Sequence, residues 1–297
     1  MFEATLKLED LEENRILVKL ARNTLFKIGK FYLYNQWDTD GSQSTLTIYV
    51  DEKDKEQAKK EIYNFVDLLN FMYGKDLTIT TNIYINKVEG LPDSDMVLAE
   101  ETKNSNILKL NSVLMHLQSL DSKKQKHVLQ SLHYFSRSLK LIELELYEEA
   151  FLSVFKTIEL ISNDIYKNYY KDDFDNTVAQ VIPNLLSELF QEEYQNSAND
   201  KDTNDSIVPI LERLITLRRK IKMTLSYLKL NDEFDNFGKL VQLRNQVAAH
   251  GTSSNKKIGM REYADCMKLS KKIITTYILG ERSNKTVLDW DIKYWWG

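Results

Sequence analysis

The sequence predicts an α+β protein in which a small N-terminal α/β part precedes an all-helical part. Apolar and polar residues alternate within the first ninety residues, beginning with FEATLKLE at residues 2–9, and this alternation is typical of half-buried strands. From about residue 97, apolar residues recur every three to four positions, as they do on amphipathic helices. Only nine glycines and three prolines occur, which favours helices with short connections over long irregular linkers.

The N-terminal part follows the order β-α-β-β-α-β. After the first strand comes a predicted helix at about 11–28, and then a hairpin in which KFYLYNQW and STLTIYV flank the turn DTDGSQ. A helix in KDKEQAKKEIYNFVDLLNFMY and a strand in DLTITTNIYINK complete the pattern. We therefore predict a ferredoxin-like βαββαβ sandwich over residues 1–92.

RNA-recognition modules share that topology and use sheet aromatics to stack bases. The candidates here are Tyr32, Tyr34, Trp37 and Tyr49. The basic-glycine-aromatic motif of such modules is missing, so ordinary sheet packing or a partner contact is the alternative. DTDG lacks the later acidic ligands of a calcium loop and is predicted to be a turn.

Residues 97–297 are predicted to form a helical bundle, beginning after the Gly- and Pro-containing segment KVEGLPDSD. The predicted helices span residues 104–120, 123–146, 147–170, 177–194, 206–230, 234–249 and 259–279. The polar segment QEEYQNSANDKDTNDS is predicted to be an exposed loop. In TVLDWDIKYWWG apolar and polar residues alternate again, which predicts a C-terminal aromatic strand that packs on the protein or on a second copy.

Composition indicates a cytoplasmic protein with no membrane segment. The start of the chain lacks the features of a signal peptide, no run of about 18 apolar residues occurs, and the single cysteine, Cys266, is expected to serve packing in a reducing compartment. The net charge is −4, so binding to nucleic acid depends on local basic clusters. Three clusters are candidates, with solvated helix faces as the alternative: LRRKIK (Arg218, Arg219, Lys220 and Lys222), Lys256 with Lys257, and Lys271 with Lys272.

Neither a metal nor a cofactor is expected. The four histidines do not have zinc-site spacing, and His116, His127 and His133 are predicted to be surface or hydrogen-bonded helix residues. The sequence contains no glycine-rich phosphate loop and no nucleophile elbow.

The segment LRNQVAAHG is the candidate catalytic segment, since it contains Arg244, Asn245 and His250 within seven residues. Metal-free RNA cleavage needs proton transfer at a 2′-hydroxyl and a 5′-oxygen, together with stabilisation of the phosphorane. Histidine suits the proton transfer near neutral pH, and a guanidinium presents a planar fork of donors to phosphate oxygens. Asn245 can bind the phosphate or orient His250. The structural alternative is a helix C-terminus capped by Gly251.

LRNQVAAHG resembles the Arg-x(4–6)-His motif of the HEPN superfamily (higher eukaryotes and prokaryotes nucleotide-binding), and EEAFLSVFKTIELIS resembles an earlier HEPN helix in which Glu159 is the matching acid. The resemblance covers roughly residues 130–280 and is greatest to the branch found in prokaryotic abortive-infection proteins. It implies a helical bundle, a homodimer formed through the Arg244–His250 face, and metal-independent cleavage of an RNA substrate that leaves a 2′,3′-cyclic phosphate. It also implies that Glu159 supports Arg244.

The leading hypothesis is therefore a HEPN endoribonuclease that acts as a toxin or antiphage effector, with residues 1–92 sensing a trigger or binding an antitoxin or other partner. Two alternatives stay open. One is a non-catalytic HEPN adaptor that binds nucleotides or proteins. The other is a scaffold in which Arg244 and His250 are satisfied helix-end residues.

Overall fold

The computed structural model describes residues 1–8, 23–37, 44–78, 83–103, 105–190, 210–211, 213–250 and 258–280. The fold is α+β, as predicted. The strands are β1 (Phe2–Leu8), β2 (Leu25–Ile28), β3 (Phe31–Trp37), β4 (Ser44–Val50), β5 (Ile85–Lys87) and β6 (Met96–Leu98). The helices are α1 (Lys55–Tyr73), α2 (Ser105–Ser119), α3 (Ser122–Glu143), α4 (Tyr147–Ile165), α5 (Lys171–Phe190), α6 (Leu217–Tyr227), α7 (Phe234–His250) and α8 (Met260–Leu279). A π-helical turn at Tyr166–Tyr170 joins α4 to α5, and a 3₁₀ turn at Asn231–Glu233 precedes α7.

The strand β2 corrects the helix predicted at about 11–28. Residues 9–22 lie outside the described residues, but Leu25–Ile28 form a strand that pairs antiparallel with β3. The two strands are joined by Gly29 and Lys30 alone, and Gly29 has a φ of 55°. A two-residue hairpin favours glycine with positive φ at its first position, and this local signal outweighs the helical spacing upstream. The strand predicted over 76–87 is confirmed only at Ile85–Lys87.

The sheet has two strands more than the predicted four-stranded sandwich. Its six strands follow the order β5-β1-β4-β3-β2-β6, and β1 pairs antiparallel with β4. The antiparallel pairing of β1 with β4 is compatible with a split βαβ sandwich, in which the first strand runs antiparallel to the second strand of the hairpin. The departure from the prediction is the addition of β2 and β6, which extend the sheet beyond β3. The predicted hairpin of β3 and β4 is confirmed.

One face of the sheet packs on α1. The rings of Phe31 on β3 and Phe65 on α1 stack with their centroids 4.2 Å apart. Asp54 caps the start of α1 by accepting a hydrogen bond from the Gln57 amide, and Gly74 ends it in the left-handed conformation. Of the predicted aromatic row, Tyr32, Tyr34 and Tyr49 lie on the other face, where Tyr32 pairs with Tyr49 across the strands, while the side chain of Trp37 lies outside the described residues. Tyr49 is buried there, so it does not offer an open ring face for stacking.

The helix α1 also packs on α3, and this contact joins the sheet to the bundle. Phe71 and Phe135 meet edge to face at 5.0 Å, and the buried Asn70 side-chain amide donates to Ser136 Oγ at 2.7 Å. The buried apolar residues of sheet and bundle form one hydrophobic cluster. The strand β6, which lies across the expected boundary after residue 92, pairs in parallel with β2 and so belongs to the sheet.

A surface ion pair spans the same α1–α3 contact. His133 Nδ1 lies 3.1 Å from Asp67 Oδ2, and this hydrogen bond raises the pKa of His133 above 6.5. A raised histidine pKa stabilises the fold below the unfolded-state value, and the contribution disappears as the pH rises through the folded-state value. We expect His133→Ala to lower the melting temperature at pH 5.5 but not at pH 8.5. Because the side chain is 66% exposed, the effect stays below about 1 kcal/mol. An equal loss at both pH values would contradict this assignment.

At the centre of the bundle lies α4, which contacts α3, α6, α7 and α8. Its apolar residues are buried around most of its circumference: Ala150, Phe151, Val154, Phe155, Ile158, Ile161 and Ile165. It also buries two carboxylates, Glu159 and Asp164.

The predicted C-terminal strand, the polar segment after Phe190 and the DTDG turn lie outside the described residues.

Candidate functional site

The helix α7 presents Arg244 to α4. Phe237, Leu240, Val241 and Val247 are buried, and their spacing gives α7 one apolar face. Arg244 follows Phe237 by two turns and Val241 by one turn, so it lies on that face and its side chain is directed toward α4. The side chain is 32% exposed, which leaves part of the guanidinium open to solvent.

Glu159 on α4 receives this guanidinium. Arg244 Nε donates to Glu159 Oε1 at 2.9 Å, and Arg244 Nη2 lies 2.7 Å from the same oxygen. The other oxygen, Oε2, accepts a hydrogen bond from Lys156 Nζ at 2.8 Å. The Glu159 side chain is only 8% exposed, so a buried carboxylate is paired at both oxygens. The structure thus brings Glu159 and Arg244 together, as the HEPN resemblance implied.

Asn245 extends the same contact network. Its side-chain oxygen accepts a hydrogen bond from Arg244 Nη1 at 3.3 Å, and the residue is exposed. A guanidinium has five N–H donors, so the contacts to Glu159 and Asn245 leave donors on the Nη atoms for a ligand. Because Glu159 fixes the plane of the guanidinium, these donors are already oriented, and a phosphate oxygen approaching from solvent can use them.

His250 is the last residue of α7, and its side chain lies outside the described residues. It lies six positions after Arg244, which places its backbone about 9 Å farther along the helix axis and about 120° around it. The backbone positions of the two residues therefore lie on different sides of the helix axis.

Comparison of the chain with protein-family models, with curated proteins and with solved structures found no match. Among the described residues, no three His, Cys, Asp or Glu side chains gather in a way that could hold a metal ion. Within that same part of the chain, the helices are too short or too polar to span a membrane.

The predicted basic clusters differ in how exposed their side chains are. Arg218, Arg219 and Lys222 on α6 are exposed, whereas Lys220 is half-buried and donates to Asn163 Oδ1 at 3.0 Å. The prediction of an exposed cluster at Lys271 is wrong. That side chain is buried, close to the Phe71 ring, and burial lowers its pKa to about 8. Lys256 and Lys257 lie outside the described residues.

The sequence did not predict a second polar cluster. His127 Nδ1 lies 2.6 Å from Oδ1 of the buried Asp164, and the Tyr277 hydroxyl donates to Oδ2 of the same carboxylate. The three residues come from α3, α4 and α8, and 113 positions separate Asp164 from Tyr277. No local spacing could have linked them. The feature of the sequence that could have indicated this cluster is Asp164, which lies at an inward position of α4. A buried carboxylate requires a hydrogen-bond or ion-pair partner.

Proposed function

We propose that this protein is a metal-independent endoribonuclease of HEPN type that works as a homodimer. The observation that carries the proposal is the pairing of Arg244 with the buried Glu159. A buried carboxylate that binds the guanidinium orients it before a ligand arrives. Here two hydrogen bonds to one oxygen hold the guanidinium, and its remaining donors are directed away from that oxygen.

The proposed reaction is an internal transesterification. The 2′-oxygen of one nucleotide attacks the neighbouring phosphorus, the bond to the 5′-oxygen breaks, and a 2′,3′-cyclic phosphate and a 5′-hydroxyl result. His250 of one subunit accepts the 2′-hydroxyl proton, and the second copy of His250 protonates the leaving 5′-oxygen. Arg244 stabilises the negative charge on the phosphorane, and Asn245 binds a phosphate oxygen or orients the histidine. Glu159 acts as a positioning residue for Arg244.

In this proposal the cell uses the activity against its own or invading RNA, as a toxin or antiphage effector in the cytoplasm. The sheet and α1 then receive the trigger or the neutralising partner. Such a signal can reach the bundle through the contact between α1 and α3, where the rings of Phe71 and Phe135 pack against each other.

The test is cleavage of a 5′-labelled single-stranded RNA by purified protein in the presence of EDTA. We expect fragments that end in a 2′,3′-cyclic phosphate, and no cleavage of the same strand carrying 2′-O-methyl groups. Cleavage that stops with EDTA, or that proceeds on the 2′-O-methyl strand, would rule out the proposed chemistry.

A non-catalytic HEPN adaptor is the second candidate, and one observation favours it. Arg244 already makes three contacts within its own chain, so the pair with Glu159 can serve stability alone. In that case the motif face serves nucleotide binding or dimerisation, and RNA stays intact under all conditions while a nucleotide or protein partner binds.

A further inference from the structure

A group of titratable and aromatic side chains lies where the start of α3, the π-helical turn, α6 and α8 meet, apart from Arg244. We call it the His127 cluster, and it comprises Lys123, Lys124, His127, Asp164, Tyr169, Tyr227 and Tyr277. Glu159 and Asp164 are five residues apart on α4, so they leave the helix about 140° apart. The cluster and the Arg244 site are therefore on different sides of α4.

The imidazole of His127 faces a buried carboxylate. Its Nδ1 lies 2.6 Å from Asp164 Oδ1, and the Asp164 side chain is fully buried, while that of His127 is 27% exposed. The second carboxylate oxygen accepts from Tyr277, and burial together with this contact raises the pKa of that phenol. With Nδ1 turned inward, Nε2 is the ring nitrogen available to a ligand.

Two lysines are fixed beside it. Lys124 Nζ donates to the Tyr169 hydroxyl at 2.7 Å, and Lys123 Nζ donates to Asn168 Oδ1 at 2.9 Å. The Lys124 ammonium lowers the pKa of Tyr169. Each ammonium has three N–H donors, so a single contact leaves capacity for an anion.

The carboxylates around these cations are already used within the protein. Asp164 is paired with His127 and Tyr277, and Asp121 accepts from the backbone amides of Lys123 and Lys124 at the start of α3. Asp164 is therefore turned inward, whereas Asp121 is exposed beside Lys124, so two lysines and one exposed carboxylate make up the outward-facing charge of the cluster.

Aromatic rings adjoin this positive surface. Tyr169 and Tyr227 lie with centroids 4.4 Å apart and planes tilted by 31°, and they are 38% and 39% exposed. A pair of stacked rings that keeps more than a third of its surface in water is well suited to extending the stack with a planar base. Lysines beside exposed aromatics are the combination that single-stranded nucleic acid binders use.

We propose that the His127 cluster binds one nucleotide unit, with the phosphate against Lys123, Lys124 and His127 and the base against Tyr227. We name an RNA strand, rather than a free nucleotide, as the ligand, and this choice rests on the proposed ribonuclease function. The cluster then holds the substrate at a distance from the cleaved bond, and it contributes affinity without touching the reacting atoms.

The test is fluorescence anisotropy with a labelled 12-nucleotide RNA carrying 2′-O-methyl groups, which cannot be cleaved by attack of the 2′-oxygen. We expect Tyr227→Ala and Lys123→Ala each to weaken binding about fivefold to tenfold. His127→Ala should weaken binding to a similar degree, with its folding checked by thermal melting because it leaves Asp164 buried without its imidazole. Tyr84→Ala and His133→Ala are the matched controls, since both residues are exposed and lie elsewhere.

Competition experiments identify the source of the nucleotide. Displacement of the labelled strand by unlabelled RNA at far lower concentration than by AMP supports the site with an RNA strand as its ligand. Displacement by AMP alone at micromolar concentration supports the site with a free nucleotide. Equal displacement by AMP and inorganic phosphate, or variants that bind like the controls, overturns the proposal. These readouts are independent of cleavage, so a protein that binds at this cluster but does not cut RNA refutes only the proposed ribonuclease function.

Discussion

His250→Ala is expected to slow RNA cleavage by about 10²–10⁴-fold, the usual contribution of a general acid or base. The alanine variant loses proton transfer at both the 2′-oxygen and the 5′-oxygen, because each copy supplies one histidine to the paired site. The measurement is a single-turnover rate on a labelled RNA with EDTA present. His116→Ala is the matched control, since His116 lies on α2 and its Nδ1 contacts the Ser112 carbonyl oxygen.

Mixing experiments give this prediction a second readout. When His250→Ala protein is added in excess to the wild-type protein and subunits exchange, mixed dimers hold one histidine instead of two. We expect activity to fall well below the fraction of wild-type subunits. Activity that follows that fraction linearly argues against a site shared between copies, and full activity of His250→Ala refutes the proposed mechanism.

Arg244→Ala is expected to reduce cleavage by about 10²–10³-fold and also to destabilise the fold. Removal of the guanidinium leaves Oε1 of the buried Glu159 without a partner. The loss of a buried ion-pair partner costs about 3–5 kcal/mol in general, and Lys156 still compensates the carboxylate here, so we expect roughly 2 kcal/mol. Urea unfolding measures the stability, and the single-turnover assay measures the cleavage.

The double variant Glu159→Leu with Arg244→Met separates the two effects. Replacing a buried pair by apolar residues of similar size is often neutral, so we expect its stability to return to within about 1 kcal/mol of the wild type. Cleavage should stay as low as in Arg244→Ala. Recovery of cleavage together with stability would show that Arg244 has only a structural role. Arg137→Ala, an exposed arginine on α3, controls for the change in charge.

Local pattern was sufficient to predict the helices that carry the candidate site. The spacing of apolar residues predicted α4 within 147–170 and α7 at 234–249, and both are confirmed, with α7 ending at His250. The same reasoning was wrong at Leu25–Ile28, where a four-residue strand depends on a two-residue turn at Gly29. Such a short apolar segment fits a helix and a strand equally well, and only its partner strand decides between them.

The sequence by itself determined where the helices run and which face of each is apolar, because helical periodicity is a property of neighbouring residues. It also determined that Arg244, Asn245 and His250 share one helix. The HEPN resemblance implied that Glu159 supports Arg244, but only the tertiary structure decided that the two side chains, 85 residues apart, are in contact. Only the tertiary structure decided that Asp164 contacts both His127 and Tyr277. The physical reason is the same in both cases. A buried carboxylate must find donors wherever packing places them, and a single sequence does not record which distant helices pack together.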